Sequence, residues 1–388
     1  MSLPEHFQGY PRATGRAGVR NHLLILSACS LNRPHARKLA AALPEAVLLA
    51  SAYGRGQVGA DRDFHDAVLR QMAGHPNTGA VLVLAPDKGL RETFHAAAEA
   101  AGRPVAGFSL QEAGEDAEAM LSDAVDAGRA RLRDLSEQKR QPCPVSDLVL
   151  AVECGHSDAS SGMVANPLAG DLCDALIAAG GAALFSETIE WLGAEHVLAP
   201  RCAAPEIEAR LRALLAARQA HARAQGKDLR LGNPGPQNHD GGITTLEEKS
   251  LGAIRKGGTS PIMGALDQGT PVPGPGLYLM DTPALSPESI TSMVAGGAQL
   301  VCFTTGHGNP YGSALAPTLK MSANPETVRR LPRQIDFDAS PAFTGARLRT
   351  DLLPDLAARL IQICEGAPTW AETTEECDEV ISRLGPSI

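Results

Sequence analysis

The chain has 388 residues, a formal net charge of −9 and a sequence pI of about 5.7. Its length indicates two domains or one large α/β unit. Hydrophobic residues make up 44% and aromatic residues only 4%, beside 39 glycines and 28 prolines, which favours a layered α/β protein over a bundle or a β-sandwich. No basic block is present to neutralise a nucleic-acid backbone, and no apolar run approaches a membrane span, so neither nucleic acid nor membrane is an expected partner.

The first ten residues, MSLPEHFQGY, contain no apolar signal core, so we expect a cytoplasmic location. The eight cysteines are scattered and form no CxxC pair, which argues against a zinc ribbon and a disulfide framework. Most of them are expected to be small buried hydrophobic residues. An anionic substrate would need a locally positive pocket in so acidic a protein.

The first part of the chain alternates apolar strand patterns with Ala-rich helical patterns. Strands are predicted over 21–28 and 80–85, and helices over 61–73, 92–101 and 112–135. This alternation indicates a parallel sheet that is covered on both faces. We predict an N-terminal α/β domain over 1–140, followed by a polar, proline-containing linker over 136–146.

After that linker the same alternation restarts. The patterns predict strands over 147–153, 182–185, 276–281 and 299–305, and helices over 166–179, 205–225 and 353–363. The predicted fold class is therefore α/β, with two Rossmann-like layered domains, largely parallel sheets and a C-terminal catalytic domain over 147–388. Polar loops follow three of these strands, at 153–162, 186–190 and 304–312, where open α/β sheets bind ligands.

The richest of these loops is ECGHSDASSGMVANP, residues 153–167. It offers a carboxylate, a thiol, an imidazole and a second carboxylate, which are all ligand types for a transition metal: Glu153, Cys154, His156 and Asp158. The alternative is a capped helix with a hydrogen-bonded histidine. In the next polar loop, Glu187 and Glu190 are either metal ligands or bases, or they simply complement a helix dipole. The dipole alternative is the stronger one for Glu190.

Three other segments carry polar groups. The run 233–262 is dense in glycine and includes Thr244, Thr245, Lys249 and Lys256, which suit carboxylate binding or proton transfer, although TTLEE also predicts a capping box. Residues 303–312 offer hydroxyls and backbone amides for an oxyanion. Arginines at 12, 16 and 20 either clamp a carboxylate or form a surface arm. Walker, HExxH and GxSxG motifs are absent, and no GxGxxG follows the first predicted strand.

Seven segments in one order resemble the altronate and galactarate dehydratase family, over about residues 9–340. They are GYPRATGRAGVRN, YGRGQ with HPN, ECGHSDASSGMVANP, SETIEWLGAEH, GGITTLEEKSLGAIRKGGTSPI, FTTGHGNP and IDFDAS. The resemblance implies an iron(II)-dependent lyase, with Mn²⁺ or Mg²⁺ as substitutes. Such a lyase takes a proton from the carbon beside a carboxylate and expels a β-substituent, and a cation absorbs the charge that develops.

On this resemblance the residue roles are as follows. The metal ligands would be Glu153, Cys154 and Glu187, and the catalytic residues would be Lys249, Lys256, His156 and Glu187. The substrate-binding residues would be Arg20, Ser157, Asp158, Thr244, Thr245, Thr304, Thr305 and His307. The expected reaction is removal of water from a sugar acid to give a 2-keto-3-deoxy acid. The alternatives are release of sulfite from sulfolactate to give pyruvate, and ligand binding without catalysis.

The family pattern also predicts partners, and this chain departs from that pattern at three places. Full-length members carry a small β-rich domain before the GY…GVRN segment, which begins here at Gly9, so we expect a small β-rich subunit in trans, together with self-association into a homo-oligomer. Relatives have Gly-Cys-Glu where this chain reads APDK at 85–88, and Thr-Thr-Gly-Arg-Gly where it has His307. They commonly have Gly-Gly-Ser-Asp at 155–158, where this chain has His156. These changes bear on the substrate more than on the fold.

Overall fold

The computed structural model describes residues 3–385 and 387, and it divides into two compact units. The unit that we call the N-terminal unit comprises residues 8–143 and 314–316 with the last residues of the chain from Asp378. The C-terminal unit comprises residues up to Phe7, 144–313 and 317–377. The predicted domains 1–140 and 147–388 overlap strongly with these units, but the predicted boundaries stay a prediction.

The N-terminal unit is built on a four-stranded sheet in the order β3-β2-β4-β5, and all its pairs are parallel. Its core holds aliphatic side chains from the sheet and from the helices that cover it, Leu23, Ile25, Leu39 and Leu82 among them. The strands are β2 (His22–Ser27), β3 (Val47–Ala50), β4 (Thr78–Ala85) and β5 (Val105–Ser109), and the helices are α1 (Arg33–Ala42), α2 (Gly59–Ala73), α3 (Lys88–Ala100) and α4 (Ala117–Glu137).

The C-terminal unit is built on a seven-stranded sheet in the order β13-β12-β11-β7-β8-β10-β9. Every pair in it is parallel. Its strands are β7 (Val149–Gly155), β8 (Ala182–Phe185), β9 (Ile262–Leu266), β10 (Gly276–Met280), β11 (Leu300–Thr305), β12 (Thr318–Ser322) and β13 (Phe337–Asp338). The two parallel sheets confirm the predicted layered α/β class.

The helices of the C-terminal unit connect these strands or follow the sheet. They are α5 (Asn166–Ala178), α6 (Glu195–Leu198), α7 (Pro205–Ala224), α8 (Pro236–Asp240), α9 (Leu246–Ala253), α10 (Ser286–Ala295), α11 (Pro325–Arg330), α12 (Ser340–Phe343), α13 (Arg349–Cys364) and α14 (Trp370–Thr374). Proline stands in the first turn of α5, as its sequence predicted, because that position needs no backbone donor. Two short strands, β1 (His6–Gly9) and β6 (Gln141–Pro144), form a sheet of their own.

Two predicted helix starts and the interpretation of one linker are wrong, and the helix predicted over 353–363 extends over Arg349–Cys364. The helix predicted over 112–135 begins at Ala117, because Asp116 caps it by accepting backbone N–H groups of residues 118 and 119. The helix predicted from residue 92 begins at Lys88, because Asp87 accepts the N–H of Leu90. The predicted linker 136–146 is not structureless, since it contains β6.

The last described residues of the chain belong to the N-terminal unit. The carboxylate of Asp61 in α2 accepts the backbone N–H groups of Leu384 and Gly385 at 2.7 and 2.6 Å. The guanidinium of Arg383 lies 4.4 Å from the centre of the Tyr53 ring. The unit therefore combines residues from the beginning and the end of the sequence.

Candidate active site

The candidate site lies at the carboxyl ends of β7 and β8. These strands are parallel neighbours, so the residues that leave them meet at one edge of the sheet. Strand β7 ends with Glu153, Cys154 and Gly155, while β8 is followed directly by Ser186 and Glu187. The strand β11 lies on the other side of β7, which makes this edge the point where the strand order reverses.

Glu187 is held in an unusual backbone conformation. Its φ is 66°, in the left-handed region, which costs about 1–3 kcal/mol for a residue other than glycine. Its N–H donates to Thr282 Oγ1 at 2.9 Å, and the indole N–H of Trp191 donates to the carbonyl of Ser186 at 3.1 Å. Two buried hydrogen bonds thus fix the turn that aims this carboxylate at β7.

Cys154, Glu187 and Glu190 form a buried group that we call the Cys–Glu cluster. The Cys154 thiol lies 3.1 Å from Glu190 Oε2 and 3.5 Å from Glu187 Oε2. One donor atom from each residue lies within 4.8 Å of the others, and all three residues are buried. A thiol with two carboxylates suits a divalent transition metal, and three protein ligands leave coordination positions for a substrate.

The ammonium of Lys256 lies within this cluster. Its Nζ is 3.1 Å from the Cys154 sulfur and 3.6 Å from Glu190 Oε2, and it forms an ion pair with Glu187. The side chain is fully buried, with Phe185 as an aromatic neighbour. Burial alone lowers the pKa of Lys256, but the surrounding acids outweigh it and hold that pKa well above its ordinary value. Lys256 therefore neutralises part of the cluster's charge.

The pKa values of the acidic groups in the cluster are shifted in opposite directions. Burial and then the charge of Glu190 raise the pKa of Glu187 to about 7. Burial also opposes ionisation of Glu190, but the charges of Lys249 and Lys256 outweigh it and lower the pKa of Glu190. Burial and the two carboxylates raise the pKa of the Cys154 thiol well above its usual range. Without a further cation the cluster therefore retains protons.

Glu153 lies next to the cluster but outside the group of three. Its Oε2 accepts hydrogen bonds from Ser186 Oγ and Ser289 Oγ, both at 2.9 Å, while Oε1 has no partner among the described residues. Burial and the charge of Glu187 raise the pKa of Glu153 well above its ordinary value. Its role as a metal ligand stays a prediction.

A pocket of about 470 Å³ opens onto the cluster and is also lined by residues 155–157, 235–238, 249 and 284–287. His156 adopts a left-handed φ of 51° there, and its Nδ1 lies 2.8 Å from the carbonyl of Gly308. Because a carbonyl only accepts, Nδ1 carries the hydrogen and Nε2 of the neutral ring is an acceptor. Lys249 donates to Asn233 Oδ1 at 2.7 Å and lies 3.4 Å from Glu190 Oε1.

Most of the remaining residues predicted to bind substrate have structural partners. Asp158 accepts hydrogen bonds from Ser160, Ser161 and Asn324. The hydroxyl of Thr304 donates its single hydrogen to Asn166 Oδ1 and lies 3.2 Å from the carbonyl oxygen of Glu153 as an alternative acceptor.

Thr305 Oγ1 accepts the N–H of Gly308. Thr244 and Thr245 are exposed and form the cap of α9 with Glu248. Ser157 lines the pocket, whereas Nε2 of His307 is buried without a hydrogen-bond partner among the described residues. Arg20 belongs to the N-terminal unit, where its guanidinium donates to the carbonyl of Val19.

Glu190 is the cluster residue that the sequence analysis undervalued. Residues 188–191 form a 3₁₀ turn, in which positions three apart lie on the same side. Glu187 precedes this turn and Glu190 lies within it, and both carboxylates contact the Cys154 thiol at the end of β7. The helix-dipole alternative assumed a solvated helix start, whereas Glu190 is only 4% exposed.

Comparison with known families agrees with this geometry. The family model described as D-galactarate/Altronate dehydratase, C-terminal, matches residues 145–387. The model described as D-galactarate dehydratase/Altronate hydrolase, second domain, matches residues 9–136. The fold, the buried cluster and these matches define a lyase, of the carbon–oxygen or carbon–sulfur class. The chain belongs to the galactarate/altronate dehydratase family, as its resemblance predicted.

The relatives differ in their named reactions. The (2R)-sulfolactate sulfo-lyase subunit beta of Chromohalobacter salexigens is 34% identical, over 97% of this chain and 97% of its own. The altronate dehydratase of Bacillus subtilis is 34% identical over 98% of this chain and 78% of its own. The galactarate dehydratase (L-threo-forming) of Escherichia coli is 36% identical over 59% of this chain and 43% of its own. In the described part of the chain, no helix is long and apolar enough to span a membrane.

Proposed function

We propose that the protein is a metal-dependent hydro-lyase that removes water from a sugar acid and gives a 2-keto-3-deoxy acid. The observation that carries the proposal is the Cys–Glu cluster beside a pocket of about 470 Å³, which has room for a six-carbon acid. The relatives named altronate and galactarate dehydratases support the same reaction class.

The donor set fits a divalent transition metal, and we propose Fe²⁺, with Mn²⁺ or Mg²⁺ as substitutes. Cys154, Glu187 and Glu190 would hold the ion, because their donor atoms converge within 4.8 Å. When bound, it supplies positive charge to the enediolate that develops beside the substrate carboxylate. Lys256 supports the same charge balance from the protein side, since its ammonium contacts the cluster.

The proton transfers fall to two residues that line the pocket. His156 presents an unprotonated Nε2, because Gly308 fixes the proton on Nδ1, and this nitrogen accepts the proton from the carbon next to the carboxylate. Lys249 donates a proton to the departing hydroxyl, which leaves as water. The enol that remains relaxes to the 2-oxo acid. Neither proton transfer changes the charge of the other side chains that line the pocket.

A second candidate reaction is release of sulfite from sulfolactate to give pyruvate. It is favoured by the sulfo-lyase subunit, which matches this chain over 97% of both lengths. That substrate carries two anionic groups. The described lining of the pocket contains a lysine but no arginine, which favours an aldonate, with its single carboxylate, as the first substrate to test. Ligand binding without catalysis is the third alternative.

We also propose that a small β-rich subunit acts with this chain in trans and that the chain forms a homo-oligomer. The name subunit beta of the sulfo-lyase relative supports a partner of this kind.

An anaerobic assay tests the reaction. The chain is loaded with iron(II), with and without the small β-rich subunit, and given aldonates, aldarates and sulfolactate, while 2-oxo acid and sulfite are measured together. Iron-dependent 2-oxo acid from an aldonate or aldarate is expected, without sulfite. Sulfite and pyruvate from sulfolactate alone would select the second candidate. No product from any substrate, with no iron bound, would favour the non-catalytic alternative, whereas no product with iron bound would point to a substrate outside this panel.

A further inference from the structure

A second group of polar residues lies at the carboxyl edge of the sheet in the N-terminal unit. The loop after β2 contacts the loop after β3 closely, since a Cβ on Gly54 would lie 2.8 Å from Cys29 Cβ and 2.9 Å from the carbonyl of Ala28. The N–H of Ser30 also donates to the carbonyl of Tyr53 at 2.7 Å. This edge is where the strand order reverses around β2, the usual ligand position in an open parallel sheet.

Two carboxamides on these loops lack hydrogen-bond partners. Asn32 is fully buried and Gln57 is 4% exposed, yet the Oδ1 and Nδ2 of Asn32 and the Oε1 and Nε2 of Gln57 have no partner among the described residues. Asn32 occupies the N-cap position of α1 without making a cap hydrogen bond. A buried polar group left unpaired costs about 1–3 kcal/mol, so four such atoms indicate a polar guest.

The charge around these carboxamides favours an anion. Helix α1 carries no acidic residue in its first turn, but its first N–H groups are used, since Arg33 N–H donates to the carbonyl of Ser30 and Pro34 has no N–H. Arg33 Nε is buried without a hydrogen-bond partner among the described residues. The charge of Arg55 acts to lower the pKa of the Cys29 thiol. The charge of Asp87 opposes that of Arg55, because it acts to raise the pKa of the Cys29 thiol. The carboxylate of Asp87 already accepts the N–H of Leu90 as the cap of α3.

We propose that this edge binds a small hydroxy acid. Its carboxylate pairs with the guanidinium groups of Arg33 and Arg55, and its hydroxyls pair with the carboxamides of Asn32 and Gln57, which both donate and accept. The departure from the family pattern at 85–88 follows β4 at the same edge of this sheet. The inference does not rest on the lyase reaction, because it concerns binding by the N-terminal unit alone.

Calorimetric titration of the full, chelator-treated chain with gluconate tests the proposal, at constant ionic strength. Asn32→Leu keeps the branched side-chain shape, Gln57→Leu is one heavy atom shorter, and both remove the polar atoms, so each should weaken gluconate binding at least tenfold. Both variants should also unfold at a higher temperature than the wild type without ligand, because they remove unpaired buried groups.

Asn77→Leu is the matched control. This buried amide in the same unit accepts the N–H of Val19 and donates to the carbonyl of Leu315, both at 3.0 Å. The change should lower the unfolding temperature and leave gluconate affinity within about twofold of the wild type.

Unchanged gluconate affinity in both leucine variants would overturn the proposal, as would binding of inorganic phosphate with no binding of gluconate. A lower unfolding temperature of Asn32→Leu without ligand would show that water already satisfies the amide, with the same consequence. Glu187→Gln separates the two proposals. It should lose turnover and keep the gluconate binding that Asn32→Leu removes, so failure of one proposal does not imply failure of the other.

Discussion

A single buried ammonium lies among the acids of the site. Lys256 has no exposed surface and contacts Cys154 and both glutamates of the cluster. Two charges removed from water are tolerated only when each is paired, so the loss of one partner leaves the other uncompensated. Lys256 and a bound divalent cation would both neutralise the negative charge of the Cys–Glu cluster. Each is therefore expected to reduce the stabilisation that the other provides.

Lys256→Met should lower the free energy of unfolding by about 3–5 kcal/mol, because it leaves the cluster without its internal cation. Added Mn²⁺ should raise the unfolding temperature of this variant by more degrees than that of the wild type. Thermal unfolding with and without Mn²⁺ measures both effects, and the exposed Lys227→Met serves as the control. A variant as stable as the wild type without metal would contradict the expectation.

Cys154→Ser and Glu187→Gln should each abolish turnover and leave the fold intact, because they weaken the donor set without changing its size. Glu190→Gln should act in the same way, although Glu190 had the lesser weight in the sequence analysis. Turnover, bound metal per chain and circular dichroism are the measurements. Glu247→Gln, an exposed carboxylate paired with Arg230, is the matched control. Near-wild-type rates with Cys154→Ser and Glu187→Gln would refute the proposed site.

At the level of helices and strands, long periodic segments were predictable from sequence. The helices α5 and α7 and the strands β7, β8, β10 and β11 lie within one or two residues of their predicted bounds. The spacing of their apolar residues reflects burial of one face, or of both faces, of the helix or strand. The strands β3, β9 and β13 were missed, because each lies at an edge of its sheet and is only partly buried, so it lacks the continuous apolar run that predicted β8 and β10.

The candidate site was predictable in part, for a related reason. Strand-end loops identify which residues approach an edge, so Cys154 and Glu187 could be named from the sequence. The position of Lys256 within the cluster could not, because it depends on how α9 and the turn after it pack beside β7 and β8. The unpaired amides of Asn32 and Gln57 likewise follow from tertiary packing, which no local pattern encodes.

Helix α9 gives a prediction at this scale. Thr245 caps it by accepting the N–H of Glu248, whose carboxylate accepts in turn the N–H of Thr245. Thr245→Ala should therefore cost about 1 kcal/mol of stability. Thr245→Ser should restore that stability, since its hydroxyl can cap in the same way. Denaturant unfolding with parallel KM values decides between the two roles: a raised KM with unchanged stability would favour the predicted substrate contact over the cap.

At the scale of the whole molecule, neither unit is one continuous segment. The N-terminal unit combines residues 8–143 with 314–316 and with the end of the chain from Asp378. Removal of residues 378–388 should therefore destabilise the N-terminal unit, because Asp61 loses both backbone partners. Limited proteolysis with mass spectrometry should find earlier cleavage within 8–143, and unchanged cleavage within 144–313. Equal protection of both units after truncation would contradict this expectation.

The return of the chain end to α2 also affects how the protein emerges from the ribosome. The segment 8–143 is synthesised well before residues 384 and 385, whose N–H groups the Asp61 carboxylate accepts. Until those residues are made, the N-terminal unit lacks these hydrogen bonds. A premature stop before residue 384 would therefore remove contacts on which the earlier segment 8–143 depends.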